Sequence, residues 1–352
     1  MANDDWAIVV GIQRYPDLGD LGGPENDATA FYNWLVSPTG GAVPQDHVAL
    51  ILSSHYRPPF PSASKAEPTT QHVQQAFDAL GDVAIANQDQ GDGLRVGRRL
   101  YIYLSGHGCE PQVEEAVLLM ANATKVRAGH HIPGKPYANW FYRAGYFDEV
   151  VLLMDCCRER YPRVPLSVPP YIDLTAPDAV DRGRRFYGFG TKWSRLSRER
   201  TMPDGKVRGV FTTALLAGLE GAASDPNGRI TAASLASYLY NGMKAFLGPE
   251  DLQDPEVPKE PDLWYDHNLG DTFVLATAPV PRFPVVIHLP QDSAGKTVDI
   301  LGDKFQSVVS TTAEPPVCQV DLARGKYLVQ LKEDGTGKII EVRGTGGVDV
   351  YL

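Results

Sequence analysis

Four short, nearly uninterrupted apolar runs, at residues 7–10, 49–52, 100–104 and 150–154, constrain the fold of this chain more than any other feature. Each has the length of a strand, and a strand that is apolar on both sides of its pleat is covered on both faces. Between them, residues 28–35 and 73–80 space their apolar side chains as helices do. Strand-like runs alternating with helical patterns predict an α/β fold, a mostly parallel sheet flanked by helices on both faces.

Two of the runs end in reactive residues. The run 100–104 is followed by Ser105, Gly106, His107 and Gly108, and the run 150–154 by Asp155, Cys156 and Cys157. The carboxyl ends of neighbouring strands in an open parallel sheet face one crevice, so a His and a Cys leaving two such ends can meet although they are distant in sequence. A free thiol has a pKa of about 8.5 and only its thiolate is a strong nucleophile. A nearby imidazole can generate or stabilise that thiolate and then protonate a departing amine, a contribution of roughly 100-fold to 10,000-fold. Gly108, without a side chain, lets its backbone N–H approach a tetrahedral oxyanion closely. The competing reading is a Cys that merely closes a buried strand and a His that is merely hydrogen-bonded.

At these residues the chain resembles the caspase and metacaspase superfamily of cysteine peptidases, and the prokaryotic metacaspase-like members more than animal caspases. Trp6 to Ile12 resembles the family's first strand, and Leu21, Gly22, Gly23, Pro24, Glu25, Asn26, Asp27 and Ala28 its entry to the first helix. Ser105 to Gly108 matches the histidine motif, and Asp155-Cys156-Cys157 the pattern Asp, any residue, Cys. Gly209 to Leu219 resembles a helix of the small-subunit-like half. The resemblance covers about residues 6–277. It implies Cys157 as nucleophile, His107 as general base and acid, and Gly108 in the oxyanion hole, with Cys156 as a buried packing residue.

The same resemblance implies a specificity pocket. Animal caspases hold an Asp side chain with Arg residues, the first of which aligns with Leu21 here. Metacaspases line the pocket with acids, which fall on Asp27 and Asp155 with Ser105 beside them, so the implied cleavage is after Arg or Lys. Coulomb's law agrees in sign, since carboxylates in a partly desolvated cleft attract a cation. Asp27 also has a structural reading, an acid in the first turn of a helix capped by Asn26, and Asp155 reads equally as a turn former. Arg158, Glu159 and Arg160 depart from the family pattern after the nucleophile, and Pro24 stands where many metacaspases carry a second Cys. Caspase-like folds also serve as catalytically silent binding modules, which is the alternative reading. Bacterial members act in regulated proteolysis or defence, which implies an activating protein partner.

The family layout implies a peptidase domain over residues 1–278, with a large-subunit-like part at about 1–160, a linking loop at about 158–185 and a small-subunit-like part at about 186–278. The loop is rich in Pro and charge, and Arg182, Arg184 and Arg185 in it are candidate self-cleavage sites or simply solvated bases. Beyond it, 186–190 reads as a strand and 231–246 as a helix with an apolar stripe of Leu235, Tyr238, Leu239 and Met243. Pro279, Pro281 and Pro284 then mark a boundary, after which short strands at 285–289, 297–301, 317–322, 327–332, 338–342 and 348–352 suggest a small β-sandwich-like domain over 279–352.

Composition excludes other classes. Lys and Arg number 33 against 43 Asp and Glu, for a formal net charge of −10, with no long basic run, so neither nucleic acid nor an acidic membrane surface is an expected partner. The acidic start and the short apolar run behind it do not read as a signal peptide or a membrane span, which predicts a cytoplasmic protein. Four cysteines do not make a disulfide framework at this length. No cofactor is expected. The sequence Asp225-Pro226-Asn227-Gly228 lacks the further acids of a calcium loop and reads as a type I turn, but some metacaspases need calcium and the sequence leaves that dependence open. His130 and His131 lack partners at metal-ligand spacing.

Overall fold

The computed structural model describes residues 4–160, 164–191, 198–202, 204–225, 227–255, 257–302, 305–343 and 347–352. All four apolar runs form neighbouring strands: β1 (Asp5–Gly11), β2 (Val48–Leu52), β3 (Gly97–Gly106) and β4 (Phe147–Cys156). With β5 (Arg184–Phe189) and β6 (Asp262–Tyr265) they make a six-stranded sheet in the order β6-β5-β4-β3-β1-β2. Every neighbouring pair is parallel except β6 with β5.

The alternation of side chains explains why the runs are apolar throughout. Ile8, Val10, Ile102, Leu104, Leu152 and Met154 point into one core, and Ala7, Val9, Tyr101, Tyr103, Val151 and Leu153 into the other. Helices α1 (Pro24–Val36), α2 (Thr70–Gln90), α3 (Gly134–Arg143), α4 (Val210–Ala217) and α5 (Ala232–Gly242) cover these cores. The first core takes Val73, Phe77, Leu80 and Ala84 from one stripe of α2. The second takes Phe31, Trp34 and Leu35 of α1 and Leu215 of α4. Each buried Val, Leu or Phe among these stabilises the fold by about 1.5–3 kcal/mol.

Local signals set the helix ends. In α2 the Thr69 side chain caps the first turn with His72 reciprocating, and Gly91 closes the helix at φ +89°. Helix α1 starts earlier than expected, because Pro24 is pre-set for a first turn. Gly23 is its N-cap, and Asn26 lies inside the helix, where its Nδ2 donates to the carbonyls of Gly22 and Val207. The stripe expected over 231–246 divides into α5, capped by Thr231, and a 3-10 turn at Met243–Phe246.

The segment 158–185 is not one exposed loop. A short helix, Pro177–Arg182, ends it, and Arg184 and Arg185 belong to β5. Arg185 stacks between the rings of Tyr142 and Trp264, 4.2 and 4.5 Å from their centroids, and pairs with Asp266 at 3.0 Å. Arg158, at its start, is fully buried.

Beyond residue 281 two antiparallel-rich sheets face each other. One runs Val317–Ala323, Arg282–His288, Val348–Tyr351, the other Ser307–Thr312, Thr297–Leu301, Gly325–Leu331, Gly337–Val342. Val285, Ile287, Val298, Ile300, Val329 and Val350 form a core between them that is separate from the other two. Strand Ser307–Thr312 was not expected from the sequence: it is a largely exposed edge strand of Ser, Val and Thr, so burial leaves no clear apolar alternation in it.

Candidate active site

The ladder between β3 and β4 ends with Ser105 opposite Asp155 and Gly106 opposite Cys156, so His107 and Cys157 leave the sheet side by side. Past that edge the same two segments pair again in a small sheet, strand Gly108–Gln112 running parallel to Glu159–Arg160. Glycine is required where they cross. A Cβ on Gly108 would stand 2.7 Å from both the Cys156 Sγ and the Cys157 carbonyl oxygen. Gly106 has φ +154°, and a Cβ there would stand 2.4 Å from the Tyr15 hydroxyl.

His107 is held from both ends. Its backbone N–H donates to the Tyr15 hydroxyl at 3.0 Å, and that hydroxyl donates to the Leu119 carbonyl at 2.9 Å. Its ring Nε2 lies 2.9 Å from the Gly19 carbonyl oxygen. A carbonyl only accepts, so in the neutral ring Nε2 carries the proton and Nδ1 is left as the base. Of the two neighbouring thiols, burial pushes Cys156 well above the ordinary thiol range, while Cys157 is half-buried and reaches the cavity. The contrast favours Cys157 as the reactive thiol.

A small cavity of about 70 Å³ brings together His107, Cys157, Ser105, Asp27 and Asp155. Gly108 is buried behind Cys156 and Cys157 and does not line that cavity, whereas Gly106 does. The Asp155 carboxylate accepts from the backbone N–H and the hydroxyl of Thr212, at 3.1 and 2.7 Å. Asp27 is 1% exposed. Its Oδ2 accepts from the Gly209 N–H at 2.9 Å, and its Oδ1 accepts no hydrogen bond among the described residues. Burial, and then the Asp155 charge, hold the Asp27 carboxyl well above the usual carboxylate range.

Two features of the site had no signal in the sequence. Glu199 also lines the cavity, its two carboxylate oxygens accepting from the N–H groups of Gly22 and Gly23 at 3.0 and 3.1 Å. It comes from strand Glu199–Thr201 of a hairpin that places it opposite Gly209, outside every quoted motif. Tyr15 is the other, a buried ring that touches His107 edge-on with centroids 4.7 Å apart. A larger hollow of about 670 Å³ lies at the opposite end of the sheet by Arg98 and Arg99, whose guanidinium groups are paired with Asp5 and Glu149.

No family model matches the chain. It is 25% identical over 330 residues to a protein described as a probable protease from a Desulfuromonadales bacterium, an alignment of 85% of this chain and 37% of that protein. The chain thus spans 37% of the length of the curated relative it matches. Among solved structures it is similar to caspase-1 from Spodoptera frugiperda, at 12% identity and a TM-score of 0.45 over 75% of this chain and 86% of that one. The pro form of that caspase gives 13% identity and a TM-score of 0.41, over 74% of this chain and 91% of that one. A Geobacter sulfurreducens protein gives 14% identity and a TM-score of 0.45, over 78% of this chain and all of the other. Among the described residues, no helix is long and apolar enough to cross a membrane, and no group of three or more His, Cys, Asp or Glu is arranged to hold a metal ion.

Proposed function

We propose that this chain is a caspase-like cysteine endopeptidase that cleaves protein or peptide substrates after Arg or Lys, working in the cytoplasm, where thiols stay reduced. The observation that carries the reading is one cavity lined by a half-buried thiol, an imidazole and two buried carboxylates, one of which has an oxygen without a hydrogen bond among the described residues. The residues divide into a reacting pair and a cation-binding pair.

His107 Nδ1 takes the Cys157 proton, and the thiolate attacks the scissile carbonyl carbon to give a tetrahedral oxyanion. Backbone N–H groups of the cavity wall stabilise that oxyanion. His107 then gives its proton to the leaving amine as the C–N bond breaks. Water, deprotonated by the same ring, hydrolyses the thioester and returns the thiol. Tethering His107 through Gly19 and Tyr15 supports this cycle, because the ring need not be oriented anew at each step. In the pocket, a guanidinium or ammonium group supplies the donor that Asp27 Oδ1 lacks and offsets the repulsion between Asp27 and Asp155.

Matched fluorogenic peptides ending in Arg, Lys or Asp test the reading, with wild type compared with Cys157→Ala in the presence and absence of calcium. Turnover of the basic peptides that the substitution abolishes is the expected result. Turnover after Asp alone would overturn the pocket, and no turnover under any condition would favour a binding module.

A further inference from the structure

Arg158 directly follows the candidate nucleophile, is 1% exposed, and is among the largest fully buried side chains of the molecule. Its guanidinium reaches three elements. It donates to Glu110 Oε1 at 2.8 Å, to Asp262 Oδ2 of β6 at 2.5 Å and to the Thr191 carbonyl at 3.1 Å, and it lies over the Phe189 ring at 4.9 Å from the centroid. Glu110 is equally buried and stands three residues past His107. The pair therefore joins the segment that carries the imidazole to the segment that carries the thiol.

Stability alone does not account for it. Taking two charges out of water costs more than an imperfect pair returns, and apolar replacements of buried pairs are often neutral or better. This pair is imperfect: Glu110 Oε2 and Arg158 Nε have no hydrogen-bond partner among the described residues. What an ion pair supplies and an apolar contact does not is a fixed separation and orientation. The position matters too. The main-sheet ladder holds the two segments up to Gly106 and Cys156, and the pairing of Cys109 with Glu159 and of Glu110 with Arg160 holds them again beyond. His107 and Cys157 lie in the short span between these two clamps.

We propose that the Arg158–Glu110 ion pair sets the separation of Cys157 and His107, making Arg158 and Glu110 positioning residues. This rests on the peptidase reading for its consequence in turnover but not for its consequence in thiol reactivity. The decisive variant is Glu110→Leu with Arg158→Met, which leaves no buried charge unpaired at the crossing, while Asp262 is half-exposed and can be solvated. Glu110→Gln, in which Arg158 keeps Asp262, carries the same expectation and decides the matter if the double variant lacks a cooperative unfolding transition. Iodoacetamide labelling of Cys157, told apart from the adjacent Cys156 by fragment-ion mass spectrometry of the peptide that carries both, is measured beside turnover of Arg peptides, with His107→Ala and Asp262→Asn for comparison.

The expected result is a folded double variant whose kcat falls about tenfold or more at unchanged KM, and whose Cys157 labels as slowly as in His107→Ala. Asp262→Asn stays near wild type. A folded double variant with kcat and labelling within about twofold of wild type would overturn the proposal. If the wild type turns over no peptide, the peptidase reading fails and labelling still decides the positioning role. If the wild-type Cys157 labels no faster than in His107→Ala, the two residues are not coupled and the proposal falls with them.

Discussion

The Nε2 of His107 stands 2.9 Å from the carbonyl oxygen of Gly19, a residue of the loop that follows the first strand. The loop is held by the Tyr15 hydroxyl, which bridges the His107 N–H and the Leu119 carbonyl inside the core. Removing that hydroxyl leaves a buried donor and a buried acceptor without partners, a loss of about 1–3 kcal/mol for an unsatisfied group. Tyr15→Phe is therefore expected to lower the thermal unfolding midpoint and to lower kcat on basic peptides more than it raises KM. Unfolding followed by circular dichroism, with steady-state kinetics on the same preparation, checks both.

Gly108 makes a sharper case, because the obstruction is backbone and sulfur and not the end of a flexible side chain. An added Cβ meets the Cys156 Sγ and the Cys157 carbonyl oxygen at 2.7 Å each. Relieving that contact pushes the two strand ends apart, at about 1–3 kcal/mol for an overpacked site. Gly108→Ala should therefore stay folded but less stable, with a disproportionate loss of kcat. Gly129→Ala, at a position where an added Cβ meets nothing within 4 Å, serves as control and should match wild type.

The central sheet was legible because both of its faces are buried, so that strands such as 100–104 carry an apolar run with no competing signal. The Cys157 and His107 segments were legible for a related reason: reactive residues at the carboxyl ends of two such runs converge whatever the intervening chain does. Three kinds of information were not. Asn26 could not be told from a cap, because Pro24 and Gly23 shift the helix start by a few residues. Arg184 and Arg185 read as a basic loop, because the partners of Arg185, Tyr142, Trp264 and Asp266, and those of Arg184, Glu149 and the Thr272 carbonyl, are far away in sequence. Glu199 and Tyr15 enter the site through tertiary contacts alone.

The arginines at the end of the 158–185 segment differ in access. Arg182 lies in the last turn of a six-residue helix and is exposed, whereas Arg184 and Arg185 have their backbones in the central sheet opposite Glu149 and Val150. A protease needs a locally opened, extended stretch of chain, which a short surface helix supplies by local opening and a paired strand does not. Limited trypsin treatment should release a fragment beginning at Gly183 well before any beginning at Arg185 or Phe186. Amino-terminal sequencing or intact mass measurement over a time course distinguishes them, and early cleavage after Arg184 or Arg185 would show that β5 opens independently of the sheet.

Asp27 links the pocket to pH. Its folded-state carboxyl titrates well above the ordinary value because it is buried and faces Asp155, so the folded protein holds a proton there that the unfolded chain gives up. Between the ordinary carboxylate pKa of about 3.9 and the raised folded value, stability must fall as pH rises, because the folded state is the one binding more protons. Asp27→Asn removes this dependence: its unfolding midpoint relative to wild type should climb steadily as pH rises through that window. Substrate binding runs the opposite way. A cationic side chain favours the ionised carboxylate, so on the proposed reading KM for Arg peptides falls with rising pH through the same window, and binding releases a proton. Unfolding curves for the two proteins at several pH values, with calorimetric titration of an Arg peptide into Cys157→Ala in buffers of different ionisation enthalpy, measure both effects. A parallel pH response in wild type and Asp27→Asn would mean that this carboxyl is ionised throughout and that the repulsion with Asp155 is relieved within the folded chain itself.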